Sequence, residues 1–211
     1  MEFGIQQITI YALPLIFAIT VHEAAHGFAA RYFGDMTAER AGRITLNPMS
    51  HIDPIGTLLL PALFILMHTG MIFGWAKPVP VDFSRLRNPK RDMLWVAAAG
   101  PASNFVMALF WALIIKLSLS APNIYSEPMA LMGQAGVMIN VVLMVLNLLP
   151  LPPLDGGRIL VSLLPNHLAY KYAQIERYGF IILIVLLATG ILGRIMEPFI
   201  EAVIRIIQFI F

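Results

Sequence analysis

The sequence contains no cysteine and few charged residues for its length. Without cysteine the chain forms no disulfide and no thiolate metal site, so any metal must be bound by His, Asp or Glu. Charged residues make up 12% of the 211 residues, against about 25% in a typical soluble domain. The net charge is only +2, and no basic run is interleaved with aromatic residues. The sequence therefore gives no indication of a nucleic-acid partner.

The hydrophobic share of 59% is too large for the core of an ordinary soluble domain. A helix needs roughly 20 apolar residues to span the hydrocarbon core of a bilayer. Five stretches reach or approach that length: 3–21, 54–76, 93–115, 128–154 and 178–193. The residues before the first stretch lack the basic flank of a signal peptide, so we expect it to be retained. The composition predicts an all-α polytopic membrane protein with residues 1–211 as a single domain.

The distribution of Lys and Arg predicts how these stretches cross the bilayer. Basic residues lie both before the second stretch, at Arg31, Arg40 and Arg43, and after it, from Lys77 to Arg91. Both flanks should therefore be cytoplasmic. We predict that 54–76 is re-entrant and that about four full transmembrane helices accompany it. Five plain crossings are the alternative.

Two further local patterns stand out near the predicted membrane surface. The segments 43–46 and 78–81 read as short strand-like pieces near the cytoplasmic face. The tail 194–211 is an amphipathic helix that could lie on the membrane surface, which we favour, or line a cavity. Its polar residues recur at steps of three or four and share one face: Arg194, Glu197, Glu201, Arg205 and Gln208.

The residues with the clearest chemical potential are His22, Glu23 and His26, near the end of the first apolar helix. Positions i and i+4 lie on one helical face, so the two histidines can bind one metal ion. Glu23 places a carboxylate beside that metal, where it can take a proton from water. At 1.5 Å per residue the pair lies roughly 7–14 Å below Arg31, inside the membrane on its cytoplasmic side.

This spacing also arises by chance in soluble helices, but here three ionisable residues lie at membrane depth. Each of them costs on the order of 1–3 kcal/mol to insert there, which makes a shared metal the favoured explanation. A catalytic zinc needs a third protein ligand, for which Asp155 is the candidate. Three prolines at 150–153 prevent the preceding helix from continuing, and Gly156 and Gly157 free the backbone. The alternative for Asp155 is a helix cap.

These motifs resemble those of the site-2 proteases, the intramembrane zinc metalloproteases. The resemblance rests on three segments and covers nearly the whole chain: 22–26, 100–104 and 147–157. It implies one zinc ion bound by His22, His26 and Asp155, with Glu23 as general base. It further implies hydrolysis of transmembrane protein substrates within the lipid bilayer. We expect a short form without a PDZ or CBS domain, located in the cytoplasmic membrane of a prokaryote, with its site near the cytoplasmic side.

Several polar residues have competing interpretations. Asn147 matches the family pattern, and its amide could stabilise an oxyanion or bind substrate backbone. Asn147 and Asn140 share a helical face and could instead join helices by hydrogen bonds, the role favoured for Asn140. His51 and Asp53 could form a second polar cluster, although turn chemistry explains them equally well.

A metal or proton transporter and a non-catalytic binding module remain alternative functions. A transporter would explain His22, His26 and Asp155, but it gives Glu23 no necessary role. The intact base and ligand set argue against a binding module.

Overall fold

The computed structural model describes residues 5–59, 74–120 and 123–211. The elements of these ranges are helical, and their order follows the chain. The α-helices are α1 (Ile5–Tyr32), α2 (Thr37–Arg40), α3 (Pro89–Ser120), α4 (Ser126–Leu148), α5 (Asp155–Leu163), α6 (Asn166–Ala173), α7 (Glu176–Ala188) and α8 (Ile191–Ile210). Short 3₁₀ turns occur at Pro48–Ser50 and Phe83–Arg85, and a π-helical turn at Pro54–Leu59. The predicted all-α class is confirmed.

Three helices of the described chain, α1, α3 and α4, are long and apolar enough to cross a membrane. Helices α7 and α8 meet this test only together, and they are bent by 85° at their junction. The bend lies at Gly190, whose φ of 71° is a left-handed conformation that glycine adopts without strain. The count of three spans, or four with the bent pair, agrees with the predicted polytopic architecture.

Close packing between α3 and α4 depends on small residues. A Cβ atom at Gly136 would overlap the ring of Trp111, and one at Gly133 would lie 3.1 Å from the Trp111 carbonyl oxygen. Membrane helices lack a hydrophobic drive for association, so close backbone approach of this kind strengthens their packing. Helix α3 also packs against α1 and α5, which places it at the centre of the site described below.

The C-terminal amphipathic helix is confirmed as α8, but its apolar face is used partly for protein packing. Leu192, Met196 and Ile207 are buried in a cluster with residues of α3, α4 and α7. On the polar face, Arg205 donates to Glu201 at 3.1 Å, and both side chains are exposed. Protein packing therefore covers part of its apolar face, and its position on the membrane surface stays a prediction.

The prediction of strand-like pieces at 43–46 and 78–81 is wrong. In the ranges that the structure describes, residues 44–46 form bends and residues 74–82 have no regular secondary structure. Side chains form hydrogen bonds with the backbone of 74–82 instead: Arg43 donates to the Lys77 carbonyl oxygen at 2.8 Å, and Glu23 accepts from the Val79 N–H at 2.8 Å. A segment whose backbone groups are satisfied in this way needs no neighbouring strand.

The two ends of the predicted re-entrant segment 54–76 lie together. The Trp75 N–H donates to the Gly56 carbonyl oxygen at 3.1 Å, and the Thr57 hydroxyl donates to the Trp75 carbonyl oxygen at 2.8 Å. A single straight crossing would separate its ends by about 30 Å. The contacts therefore favour the re-entrant interpretation over five plain crossings. The middle of the segment, including His68, lies outside the described residues.

Asp35 fastens the end of α1 to the segment that leads into α3. Its carboxylate is fully buried and accepts hydrogen bonds from the backbone N–H groups of Thr37, at 2.9 Å, and Asp82, at 2.7 Å. Hydrogen bonds to a charged group contribute about 1.5–3 kcal/mol each. We expect Asp35→Ala to lower the free energy of unfolding by at least about 2 kcal/mol.

Chemical unfolding of the detergent-solubilised protein measures this loss. The matched control is Glu39→Ala, which removes an exposed carboxylate that pairs with Arg31 at 2.9 Å. Exposed pairs contribute about 0–1 kcal/mol, so the control should stay near the wild type. Equal effects of the two substitutions would contradict the role given to Asp35.

Candidate metal centre

Helix α1 presents His22 and His26 one turn apart on the face that meets α3. Their rings lie edge to face, with centroids 4.7 Å apart and an interplanar angle of 84°. The two Nε2 atoms are 3.1 Å apart. The i, i+4 spacing predicted this common face, and the structure shows both rings directed at one point.

Asp155 reaches the same point because the chain breaks between α4 and α5. Helix α4 ends at Leu148, and the proline-rich loop leads directly into α5, whose first residue is Asp155. Gly156 and Gly157 lie in the first turn of α5, where a Cβ atom would overlap the Leu148 carbonyl or Pro152. The two glycines therefore allow the loop to pack closely on α5, rather than supplying the backbone freedom predicted for them.

The carboxylate of Asp155 completes a cluster of three ligand atoms. Its Oδ2 lies 3.2 Å from Nε2 of His22 and 3.3 Å from Nε2 of His26. A carboxylate oxygen therefore faces two ring nitrogens in a site almost closed to solvent.

The proton positions show that this cluster fits a metal cation. Nδ1 of His26 lies 2.8 Å from the Val96 carbonyl oxygen, which can only accept, so Nδ1 carries the proton and Nε2 a lone pair in the neutral ring. Asp155 Oδ2 is buried without a hydrogen-bond partner. Unpaired acceptors packed this closely repel each other unless a positive charge lies between them.

Gly100 of α3 provides the space that such an ion needs. A Cβ atom at this position would lie 2.6 Å from His22 Nε2 and would also overlap His26 Nε2. Any other residue would thus push a side chain against the ligand atoms. Gly100 therefore leaves room beside the ligand atoms that a larger residue would fill.

A cavity of about 130 Å³ opens beside the three ligand atoms. Glu23 borders the cavity, and its Oε2 accepts from the Val79 N–H in the segment 74–82. Asn147 and Arg158 also border the cavity. The arrangement places one carboxylate, one amide and one guanidinium around a small space next to the cluster.

Comparisons with known proteins agree with this chemistry. Residues 124–189 match the sequence profile of Peptidase family M50. "Putative zinc metalloprotease YwhC" of Bacillus subtilis (strain 168) is 38% identical over 194 residues, which cover 90% of this chain and 85% of the relative. The chain belongs to peptidase family M50. The predicted family resemblance and the predicted metalloprotease class are confirmed.

Other relatives in this family are longer than the part they share with this chain. "Putative zinc metalloprotease Rip2" of Mycolicibacterium smegmatis (strain ATCC 700084 / mc(2)155) is 32% identical over 85% of this chain and 66% of the relative. Its namesake in Mycobacterium tuberculosis (strain ATCC 25618 / H37Rv) is 31% identical over 80% of this chain and 62% of the relative. No solved structure matches the chain.

The two asparagines predicted near the site of this M50 peptidase lie in different surroundings. Asn147 is half-buried at the cavity. Its Nδ2 donates to the Leu143 carbonyl oxygen at 3.0 Å, so its side-chain oxygen is the group that can accept from other donors. Asn140 is fully buried and hydrogen-bonded to Asn104 and Gly136. These contacts support the structural role favoured for Asn140 and do not support a contact with substrate.

The second polar cluster predicted at His51 and Asp53 is explained by turn chemistry. His51 Nε2 lies 2.9 Å from the Thr45 carbonyl oxygen, and Asp53 accepts from the N–H groups of Ile55 and Gly56. Neither residue borders the cavity beside the metal centre.

Two residues at the site, Asn104 and Arg158, have no role predicted from the sequence. Both had a detectable signal, because Asn104 is a lone amide in an apolar helix and Arg158 follows the Asp155 motif directly.

Proposed function

We propose that this M50 peptidase is an intramembrane zinc protease that hydrolyses peptide bonds of transmembrane protein substrates. In this proposal residues 1–211 form one domain, His22, His26 and Asp155 bind one zinc ion, and Glu23 is the general base. The observation that carries it is the convergence of two imidazole nitrogens and a carboxylate oxygen within 3.3 Å of one another. Three protein ligands with an adjoining space are the pattern of a catalytic zinc site.

Zinc bound in such a site acts as a Lewis acid toward a peptide carbonyl and lowers the pKa of water to about 7. The protein's own groups then move the proton. Glu23 borders the same cavity as the ligands and can accept the proton of the attacking water, then deliver it to the leaving amine. Asn147 on α4 borders the same cavity, and its side-chain oxygen can accept a hydrogen bond from an N–H of the bound substrate backbone.

The segment 74–82 gives the substrate a place to bind. Its Val79 N–H is hydrogen-bonded to Glu23, and Pro78 and Val81 border the cavity. A peptide bond inside a transmembrane helix is shielded by its own helix, so the substrate must unwind locally before it can be cleaved. A narrow cavity of about 130 Å³ admits an extended chain more readily than an intact helix of 10–12 Å diameter.

The position of the site along α1 supports cleavage within the bilayer. His26 precedes Arg31 by five residues and His22 by nine, which corresponds to roughly 7–14 Å along a helix. The basic residues flanking the helices favour a cytoplasmic location for that end. Relatives from bacteria support the cytoplasmic membrane of a prokaryote as the location.

The position of the cut bond in a reporter tests this proposal. The full-length protein is reconstituted with a single-span reporter, and the products are identified by mass spectrometry. We expect cleavage inside the apolar segment, toward its cytoplasmic end. Cleavage confined to soluble flanks would contradict intramembrane proteolysis, and zinc uptake without cleavage of any reporter would favour transport.

Asp155→Asn is the matched inactive variant for this assay. The amide keeps the size of the side chain but loses the charge that a cation requires. We expect the zinc affinity to fall by more than about 100-fold, since even partners behind the ligands contribute 10- to 100-fold. Competition with a zinc chelator measures this, and wild-type affinity in the variant would remove Asp155 from the ligand set.

A further inference from the structure

The ring of His22 is held from behind by an amide on a different helix. Nδ1 of His22 lies 2.6 Å from Oδ1 of Asn104, and the two residues are 82 positions apart in the sequence. Both side chains are buried, and Asn104 has no exposed surface at all. A neutral imidazole carries one N–H and one lone pair, and its partners decide which nitrogen has the proton.

The orientation of the Asn104 amide is fixed by its other contacts. Its Nδ2 lies 3.3 Å from the carbonyl oxygen of Ala18 and 3.0 Å from Oδ1 of Asn140. The Asn140 amide is oriented in turn, because its Nδ2 donates to the Gly136 carbonyl oxygen at 2.8 Å. Backbone carbonyl oxygens only accept hydrogen bonds, so both amides must turn their NH₂ groups toward them. Asn104 therefore offers His22 only an oxygen.

The contacts of Asn140 and Asn104 therefore decide which nitrogen of His22 carries the proton. His22 must donate from Nδ1 to Asn104, which leaves the lone pair on Nε2. That lone pair points at Asp155 Oδ2 and His26 Nε2, at 3.2 and 3.1 Å. His26 reaches the same state through the Val96 carbonyl oxygen. A backbone carbonyl thus fixes the tautomer of His26, and a side chain fixes the tautomer of His22.

We infer that Asn104, itself oriented by Asn140, is the positioning residue that fixes the ring and the tautomer of His22 for metal binding. Oxygen partners on the second ring nitrogen orient a ligand histidine and raise its basicity. The hydrogen-bonded residues His22, Asn104 and Asn140 join α1, α3 and α4, and all three are buried. Water therefore cannot replace a lost hydrogen-bond partner. This inference rests on the proposed zinc site.

Zinc affinity of the purified full-length protein tests the inference. Asn104→Leu has a similar size but no acceptor, and we expect it to weaken zinc binding by about 10- to 100-fold in competition with a chelator. Asn104→Asp keeps an oxygen facing His22, so its affinity should stay closer to the wild type than to Asn104→Leu. Ser103→Ala is the matched control, because this neighbouring hydroxyl donates only to the Gly100 carbonyl oxygen of its own helix.

The tautomer of His22 gives a readout that a purely structural role would not change. ¹⁵N NMR of labelled imidazoles in the metal-free protein distinguishes the two neutral forms, and His22→Gln assigns the signal. The wild type should show the proton on Nδ1, and a folded Asn104→Leu should lose this preference. This measurement on the wild type remains decisive where Asn104→Leu does not fold.

Three results would overturn the inference: the Nε2–H tautomer in the wild type, wild-type zinc affinity in folded Asn104→Leu, or an Asn104→Asp affinity as low as that of Asn104→Leu. Failure of the proposed function gives a different pattern. A wild type that binds no zinc contradicts the zinc site, whereas a wild type that binds zinc and is indifferent to Asn104 contradicts only the positioning role.

Discussion

Glu23→Gln is expected to reduce cleavage of a transmembrane reporter by about 10²- to 10⁴-fold, the range that general-base catalysis contributes. Bound zinc should be retained, because Glu23 is not among the three atoms that converge at the metal centre. The substitution preserves the local structure well. Glutamine still has a side-chain oxygen that can accept from the Val79 N–H, which Glu23 binds at 2.8 Å.

Metal analysis and a turnover assay on the same preparation separate the two effects. Glu39→Gln, on the exposed pair with Arg31, controls for the loss of one negative charge. Zinc kept and cleavage lost would identify Glu23 as the base. A variant that cleaves at the wild-type rate would exclude that role, and loss of zinc would instead make Glu23 part of the metal site.

Gly100→Ala is expected to abolish zinc binding and to lower cleavage by at least about 10²-fold, the loss that a 1 Å misplacement of reacting groups can cause. The added methyl group would lie 2.6 Å from His22 Nε2 and would overlap His26 Nε2 as well. It would thus occupy the space between α3 and the ligand atoms. Either the two rings or the helices must shift to avoid it, and both movements displace the ring nitrogens from their positions beside Asp155.

The matched control is Gly193→Ala in α8, where an added Cβ atom would meet nothing within 4 Å. Alanine is favoured over glycine in a helix by about 1 kcal/mol, so both substitutions should help their helices locally. Zinc content measured after purification, together with the reporter assay, compares them. Full zinc occupancy in folded Gly100→Ala would show that the ion does not lie beside this glycine.

The cluster of His22, His26 and Asp155 could be predicted from the sequence because each of its parts had a local signal. The i, i+4 spacing of His22 and His26 specifies a helical face without any knowledge of the fold. The prolines before Asp155 indicate where a helix must stop, and the basic residues place that end on the same side as the histidines. Chain breaks and charge distributions are properties of short segments, so the sequence alone reveals them.

The features that were not predicted from the sequence depend on contacts between segments that are distant along the chain. Asn104 lies 82 residues from His22, and no spacing rule relates a residue on α3 to one on α1. The strand-like pieces were wrong for a similar reason. The segment 78–81 has the composition of a strand, but its backbone bonds to distant side chains: Val79 N–H donates to Glu23, and the Pro78 carbonyl oxygen accepts from Arg43.

The C-terminal helix shows the same limit. Its amphipathic pattern predicts one apolar face correctly, but the pattern is identical whether lipid or protein covers that face. The burial of Leu192 and Met196 against the other helices follows from the 85° bend at Gly190. A glycine signals that a bend is available, without giving its direction.

Reversible removal of zinc from the reconstituted wild-type protein during reporter cleavage tests the catalytic zinc site. The zinc content of the active protein is measured first, then the metal is removed with a chelator and restored with one equivalent of zinc. We expect cleavage to stop on removal and to return on restoration. Cleavage that continues at the same rate in protein shown to contain no metal would contradict a catalytic zinc site at His22, His26 and Asp155.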